Sequence, residues 1–280
     1  MPTASNAGRE KPSTRPYSPF LLARKFLSYY LNASNGKGHG VHSPFVYDFI
    51  KKVLNDRQPL QKESFIEQVR QKLLRDNRTI SVQDFGAGSG LLQKNNIRKV
   101  SAMAASSLKP RKYAALLGRM VRHYGCNSIL ELGTSFGITT AYIACNTNGV
   151  VYTMEGAEEV AQIAAENFRE LGLQNTEVIR GDFDGGLTGL LQRITSPDLV
   201  FVDGNHRLEP TLRYFEQMLP FCNEHTLIVF DDIHWSQEME AAWSRIKDHT
   251  SVSLSIDLFF IGIAVLRKDI KVKQHFSIRY

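Results

Sequence analysis

Residues 128–137, Ser-Ile-Leu-Glu-Leu-Gly-Thr-Ser-Phe-Gly, decide the fold class of this chain. An apolar run ends in an acid and a glycine turn, and a helix is predicted to open at Ile138. A strand–turn–helix of this kind presents free backbone N–H groups and a carboxylate at a strand's carboxyl end, where open α/β sheets bind ligands. Gly133 and Gly137 let the backbone come close to a ligand. Glu131 suits a cationic or hydroxyl-rich ligand better than a pyrophosphate. The glycine spacing also departs from the G-x-G-x-x-G of dinucleotide folds.

Four further strands follow the same plan. Val150–Met154 is predicted to end at Glu155, where a carboxylate can accept both hydroxyls of a ribose. A helix over Ala157–Leu171 places Val160, Ile163, Ala164, Phe168 and Leu171 on one face. Thr176–Arg180 leads to Gly181-Asp182-Phe183, Leu199–Asp203 to Gly204-Asn205-His206, and Thr226–Phe230 to Asp231-Asp232. Buried parallel strands read as apolar runs, and here an acid stands at or just beyond each carboxyl end. Capping of the next helix explains any one such acid. It does not explain all five.

Over residues 105–268 the chain resembles the class I S-adenosylmethionine-dependent methyltransferases. The resemblance implies a Rossmann-like α/β fold with a seven-stranded sheet in the order 3-2-1-4-5-7-6, the last strand antiparallel. Val252–Ile256 and Ile261–Leu266, joined by Asp257-Leu258-Phe259-Phe260, look like its closing pair. It implies that Glu131, Gly133, Thr134, Ser135 and Gly137 hold the methionine part of S-adenosylmethionine. Glu155 would bind the ribose, Asp182 and Phe183 would flank the adenine, and Asp203 would lie beside the cofactor.

Asp203, His206, Asp231 and Asp232 are where the chemistry is expected. Methyl transfer from a sulfonium requires alignment of acceptor, methyl and sulfur, and an acceptor able to lose its proton. Carboxylates from two neighbouring strand ends suit a hard divalent cation that lowers a hydroxyl's pKa. His206 alone as a base near neutral pH is the other route. The segment is similar to the catechol, caffeoyl-CoA and macrolide-sugar O-methyltransferases, which implies Mg²⁺ on Asp203, Asp231 and Asp232. Catechol-type enzymes carry a lysine base three residues after the first metal acid, and that place here is His206. Plainer roles stay open: Asp232 and His206 as helix caps, and Trp235 as packing rather than a pocket wall.

Asp84-Phe-Gly-Ala-Gly-Ser-Gly90 looks more like a cofactor loop than residues 131–137 do. Its context argues otherwise, because a polar, basic stretch follows it and no acid-tipped strand comes next. A turn or lid beside the site is the expectation.

The formal net charge of +6 conceals a division. Residues 1–112 hold 20 Lys and Arg against 7 Asp and Glu, whereas residues 113–265 hold 9 against 20. The predicted organisation is a disordered tail at 1–19, a basic, mainly helical extension or lid at 20–104, the methyltransferase-like domain at 105–268 and a tail at 269–280. Helices are expected over Phe20–Leu31, from Pro44 to about Leu54, over Phe65–Leu74 and over Tyr113–Tyr124. The basic extension can dock on its own acidic domain or a partner subunit, or attract nucleic acid or anionic lipid. The three cysteines lack C-x-x-C spacing, which argues against a disulfide scaffold or zinc site and fits a reducing cytoplasm. No apolar run reaches the roughly 18 residues of a membrane span, and residues 1–19 lack the apolar core of a secretory signal.

The expected function is therefore O-methylation of a small-molecule hydroxyl, with Mg²⁺ assistance on the first route, in the cytoplasm, as a monomer or homodimer. A nucleic-acid methyltransferase is the first alternative, although the Asn/Asp-Pro-Pro-Tyr/Phe motif of base N-methylation is replaced by Asp203-Gly204-Asn205-His206. A non-catalytic scaffold that keeps the fold is the second.

Overall fold

Strands buried on both faces must feed two cores at once, and the central strands do so by alternation. In the computed structural model, which describes residues 12–82, 96–194 and 196–280, Ile129, Leu199, Phe201, Leu227 and Val229 point into one core. Leu130, Leu132, Val200, Val202, Ile228 and Phe230 point into the other.

From the amino end, the elements are α1 (Pro19–Asn32), α2 (Pro44–Phe49) running into a π turn (Ile50–Leu54), α3 (Glu63–Arg75), β1 (Thr79–Val82), β2 (Asn96–Lys99) and α4 (Val100–Ser107). Next come α5 (Arg111–Tyr124), β3 (Ser128–Leu132), α6 (Ile138–Ala144), β4 (Val150–Glu155), α7 (Glu158–Glu170), β5 (Thr176–Arg180) and α8 (Phe183–Arg193). The chain continues through β6 (Leu199–Val202), α9 (Leu208–Met218), β7 (Leu227–Asp231), α10 (Gln237–Asp248), β8 (Leu254–Asp257), β9 (Ile261–Val265) and β10 (Gln274–Ser277).

The main sheet runs β10-β8-β9-β7-β6-β3-β4-β5. Apart from β10 this is the expected order, and β9 is antiparallel to both its neighbours. The addition at the edge corrects the expectation of a plain tail. Residues 274–277 pair in parallel with β8, and Ser34 bridges to Ile278 beside them. An apolar Ile278 with no exposure anchors this edge in the core, which a basic composition hides.

The extension is docked rather than separate. Ile66, Val69, Leu73, Ile80, Val82, Val100 and Ala104 share a core with Phe136, Ile138, Tyr142, Val160 and Ile163. Lys25 pairs with Glu240, Lys72 with Glu170 and Arg78 with Glu166, so its cations meet the acids of the α/β unit. It also holds an antiparallel pair, β1 with β2. Helix α4 straddles the expected boundary at 104–105. Part of the expected disordered tail has defined contacts: Ser13 N–H donates to Gln237 Oε1 at 2.9 Å, and Pro16 bridges to Ser236. Residues 1–11 and the loop 84–90 lie outside the described residues.

Candidate functional site

The turn after β3 is built from the inside. Gly133 has φ +107°, and a Cβ there would lie 2.0 Å from the backbone oxygen of Asp203, so only glycine lets the ends of β3 and β6 meet. Asn167 Nδ2 donates to the Phe136 carbonyl at 2.8 Å and pins the turn to α7. Beneath it, Glu131 is fully buried, and its Oε2 accepts from the hydroxyls of Thr140 and Thr153. Burial outweighs those two donors and pushes the Glu131 carboxyl up to about 7. The other oxygen, Oε1, is buried without a hydrogen-bond partner among the described residues.

Above the turn lies a cavity of about 440 Å³, lined among others by Gly133, Ser135, Glu155, Asp182, Phe183 and Asp203. Glu155 reaches it from the tip of β4. Its Oε2 accepts from Ser135 N–H at 2.8 Å, and its Oε1 from Ala157 N–H at 3.0 Å. Each oxygen keeps a lone pair for a ligand hydroxyl. Burial nevertheless shifts Glu155 upward, against the pull of the Ala157, Ser135 and Gly156 N–H groups. Asp182 caps α8 through Gly185 N–H at 2.5 Å. Phe183 forms an apolar wall, edge-on to Tyr214 with ring centroids 5.6 Å apart. A Cβ on Gly204 would lie 2.6 Å from the Phe183 ring, so the glycine is what admits that wall.

A second cavity, about 550 Å³, adjoins the first and shares Ser107, Gly133, Ser135, Glu155 and Asp203 with it. Its other walls include Lys109, His206, Asp231, Asp232 and the aromatic rings of Tyr113, Trp235 and Phe260. Trp235 is thus a wall residue, with its ring 5.7 Å from that of His206. Neither Asp232 nor His206 caps a helix: Ser236 caps α10, and α9 follows Arg207 without a side-chain cap. Ser135, Asn205 and Asp232 each have positive φ, one beyond each of three strand ends, so backbone strain gathers around the two cavities.

Charge dominates the second cavity. Lys109 Nζ is 3.3 Å from Asp203 Oδ2 and hydrogen-bonded to Asp231 Oδ2. Burial alone would lower the Lys109 pKa, but Asp203, Asp231 and Asp232 together raise it well above the usual lysine range. It is a fixed cation and not a base. Burial and the Asp231 charge push Asp203 well up, while Lys109 and His206 overcome burial and hold Asp231 down. Asp232 rises to about 7 through burial and the neighbouring Asp231 charge. His206, 3.7 Å from Asp203 Oδ1, is shifted down by burial against the upward pull of the Asp231 charge.

Comparison with known proteins agrees with this architecture. Residues 130–233 match the family model described as a methyltransferase domain. Residues 130–233 are thus similar to a methyltransferase domain, and the sheet is the Rossmann-like one of methyltransferases. A protein-L-isoaspartate O-methyltransferase of Methanocella arvoryzae is 32% identical over 107 residues, which is 33% of this chain and 57% of that protein. The match thus spans little more than half of the relative's length. An O-methyltransferase from Bacillus cereus, solved with S-adenosylhomocysteine, has a TM-score of 0.51 at 21% identity, covering 79% of this chain and 97% of its own. A Podospora anserina methyltransferase bound to the same compound has a TM-score of 0.53 at 14% identity, covering 76% and 100%. At such identities the likeness is one of fold.

The cofactor residues expected from sequence divide into two groups. Gly133, Ser135, Glu155, Asp182, Phe183 and Asp203 line the first cavity. Glu131, Thr134 and Gly137 do not. Thr134 is buried against Thr153, and Gly137 starts α6 with φ +80° beneath Phe168. They shape the turn. The first cavity thus offers hydrogen-bond acceptors at Glu155 and Asp182 and an apolar ring at Phe183.

The expected Mg²⁺ set fares differently. The ligand atoms brought together are those of Asp203, His206 and Asp231, with Asp232 outside the group. Magnesium demands near-octahedral oxygen ligation, and a set containing imidazole suits it poorly. Moreover, Asp203 and Asp231 already turn an oxygen each toward Lys109. The residues as arranged do not fit Mg²⁺, because the Lys109 ammonium already contacts both carboxylates. Sequence reading missed Lys109, which looked only like the residue before Pro110 at a helix start.

Proposed function

We propose that this chain is an S-adenosylmethionine-dependent methyltransferase acting on a hydroxyl of a small molecule. The observation that carries the reading is the pair of adjoining cavities with Asp203 and Gly133 in their common wall. Cofactor and acceptor held there would face each other, and holding two reactants in line is the main requirement of methyl transfer. S-adenosylmethionine supplies a methyl group on a sulfonium. His206 and Asp203 stand where the acceptor oxygen would give up its proton as the carbon–oxygen bond forms. The rings of Tyr113, Trp235 and Phe260 line the acceptor side. The docked extension, with Lys25, Lys72 and Arg78 already paired to acids, gives little support to a nucleic-acid substrate.

A hydroxylated-metabolite panel, read as release of S-adenosylhomocysteine, tests the proposal. His206→Ala should lower turnover on the best acceptor by about 10²-fold and leave cofactor affinity intact. Turnover unchanged in that variant would remove His206 from the chemistry.

A further inference from the structure

The second cavity contains a cation of its own. Lys109 is 9% exposed, and its ammonium contacts Asp231 and Asp203 from a short segment in which Ser107 and Pro110 line the same cavity. Pro110 fixes the backbone at the start of α5, so the lysine is carried on a stiff connection. Its Nζ also lies 5.7 Å from the centre of the Phe201 ring, a floor that water does not reach. A divalent ion on Asp203 and Asp231 would have to displace this ammonium or sit against it, and like charges at such range repel strongly.

Resting on the function proposed above, we infer that Lys109 is the resident cation of the acceptor site, in the place a divalent metal was expected, and that the acceptor class is a lone hydroxyl on a flat aromatic skeleton. An ammonium has three donors. Two face Asp231 and Asp203, and the third can meet one acceptor oxygen. A chelated metal grips two vicinal oxygens of a catechol, whereas an ammonium is a point charge and asks for one. Tyr113, Trp235 and Phe260 supply flat walls for the ring that bears it.

The test is titration of Mn²⁺ into the purified full chain, read by loss of the free-ion electron paramagnetic resonance signal. Wild type is expected to show no saturable binding. Lys109→Ala should gain one site, and adding Asp231→Asn should abolish it. Lys109→Gln, which keeps the packing of the stem, serves if Lys109→Ala does not fold, and the wild-type titration alone decides if neither folds. Saturable binding by wild type that Asp231→Asn removes overturns the inference, as does a folded Lys109 variant that gains no site. With an acceptor in hand, turnover should be indifferent to chelator, and a monohydroxylated ring should serve as well as its catechol. None of the metal readings depends on the cofactor. A chain that fails to bind S-adenosylhomocysteine defeats the proposed function and leaves the Mn²⁺ result to judge Lys109 separately.

Discussion

Glu155 and Ser135 are joined in the wall of the first cavity, the carboxylate Oε2 accepting the backbone N–H at 2.8 Å. With Ala157 N–H on the other oxygen, one side chain ties the turn after β3 to the turn after β4. Glu155 therefore organises the site before any ligand arrives. Glu155→Ala would leave two N–H groups without their acceptor, and should cost about 1–3 kcal/mol of stability in the free protein. Glu155→Gln keeps one carbonyl acceptor and should cost less. Urea unfolding of the three proteins, without cofactor, checks the order.

Gly133 gives a second prediction. Its need for glycine comes from the Asp203 backbone and from φ +107°, rather than from a ligand. Gly133→Ala should therefore destabilise the free protein by more than about 2 kcal/mol. Gly125, with φ +62° and open space around it, is the control, and Gly125→Ala should cost about 1 kcal/mol. Equal midpoints of chemical unfolding for the two variants would refute the packing account of Gly133.

The carboxylates at the strand ends were legible because burial on both faces leaves a parallel strand little freedom but to be apolar and to end in something polar. The seven-strand order followed from the resemblance, and the helices from their spacing. Lys109 was not legible. Its role depends on α4, α5 and two distant strand ends meeting in space, and nothing local distinguishes it from any lysine before a proline. The enclosure of Glu131 was not legible for a related reason. Its sequence position is at a strand tip, but the threonines that enclose it come from α6 and β4. The tail's edge strand, with the alternation His275, Phe276, Ser277, Ile278, is too short for periodicity to mark it.

His234 anchors the amino-terminal segment by charge. Its Nδ1 meets Glu240 at 3.0 Å and its Nε2 meets Asp257 at 2.9 Å, while Tyr17 and Lys25 reach the same Glu240. Burial opposes the charged form, but the two carboxylates overcome it and raise the His234 pKa from 6.5 to about 9. A folded-state value above the unfolded one adds stability that is complete below pH 6.5 and is lost as pH rises through about 9. The contribution should be about 3 kcal/mol at most. Wild type should lose stability across that window in urea unfolding, and His234→Gln should flatten the loss. A parallel decline in the variant would assign the effect to other groups.

Calorimetric titration of S-adenosylmethionine into the full chain tests the central claim most directly. The account predicts one site per chain in the range of about 1 μM to 1 mM, typical of metabolite sites. It also predicts affinity weakened about tenfold or more in Glu155→Gln, which loses charge-assisted hydrogen bonds to the ribose. No saturable binding to wild type, or the same affinity in a folded Glu155→Gln, would contradict it.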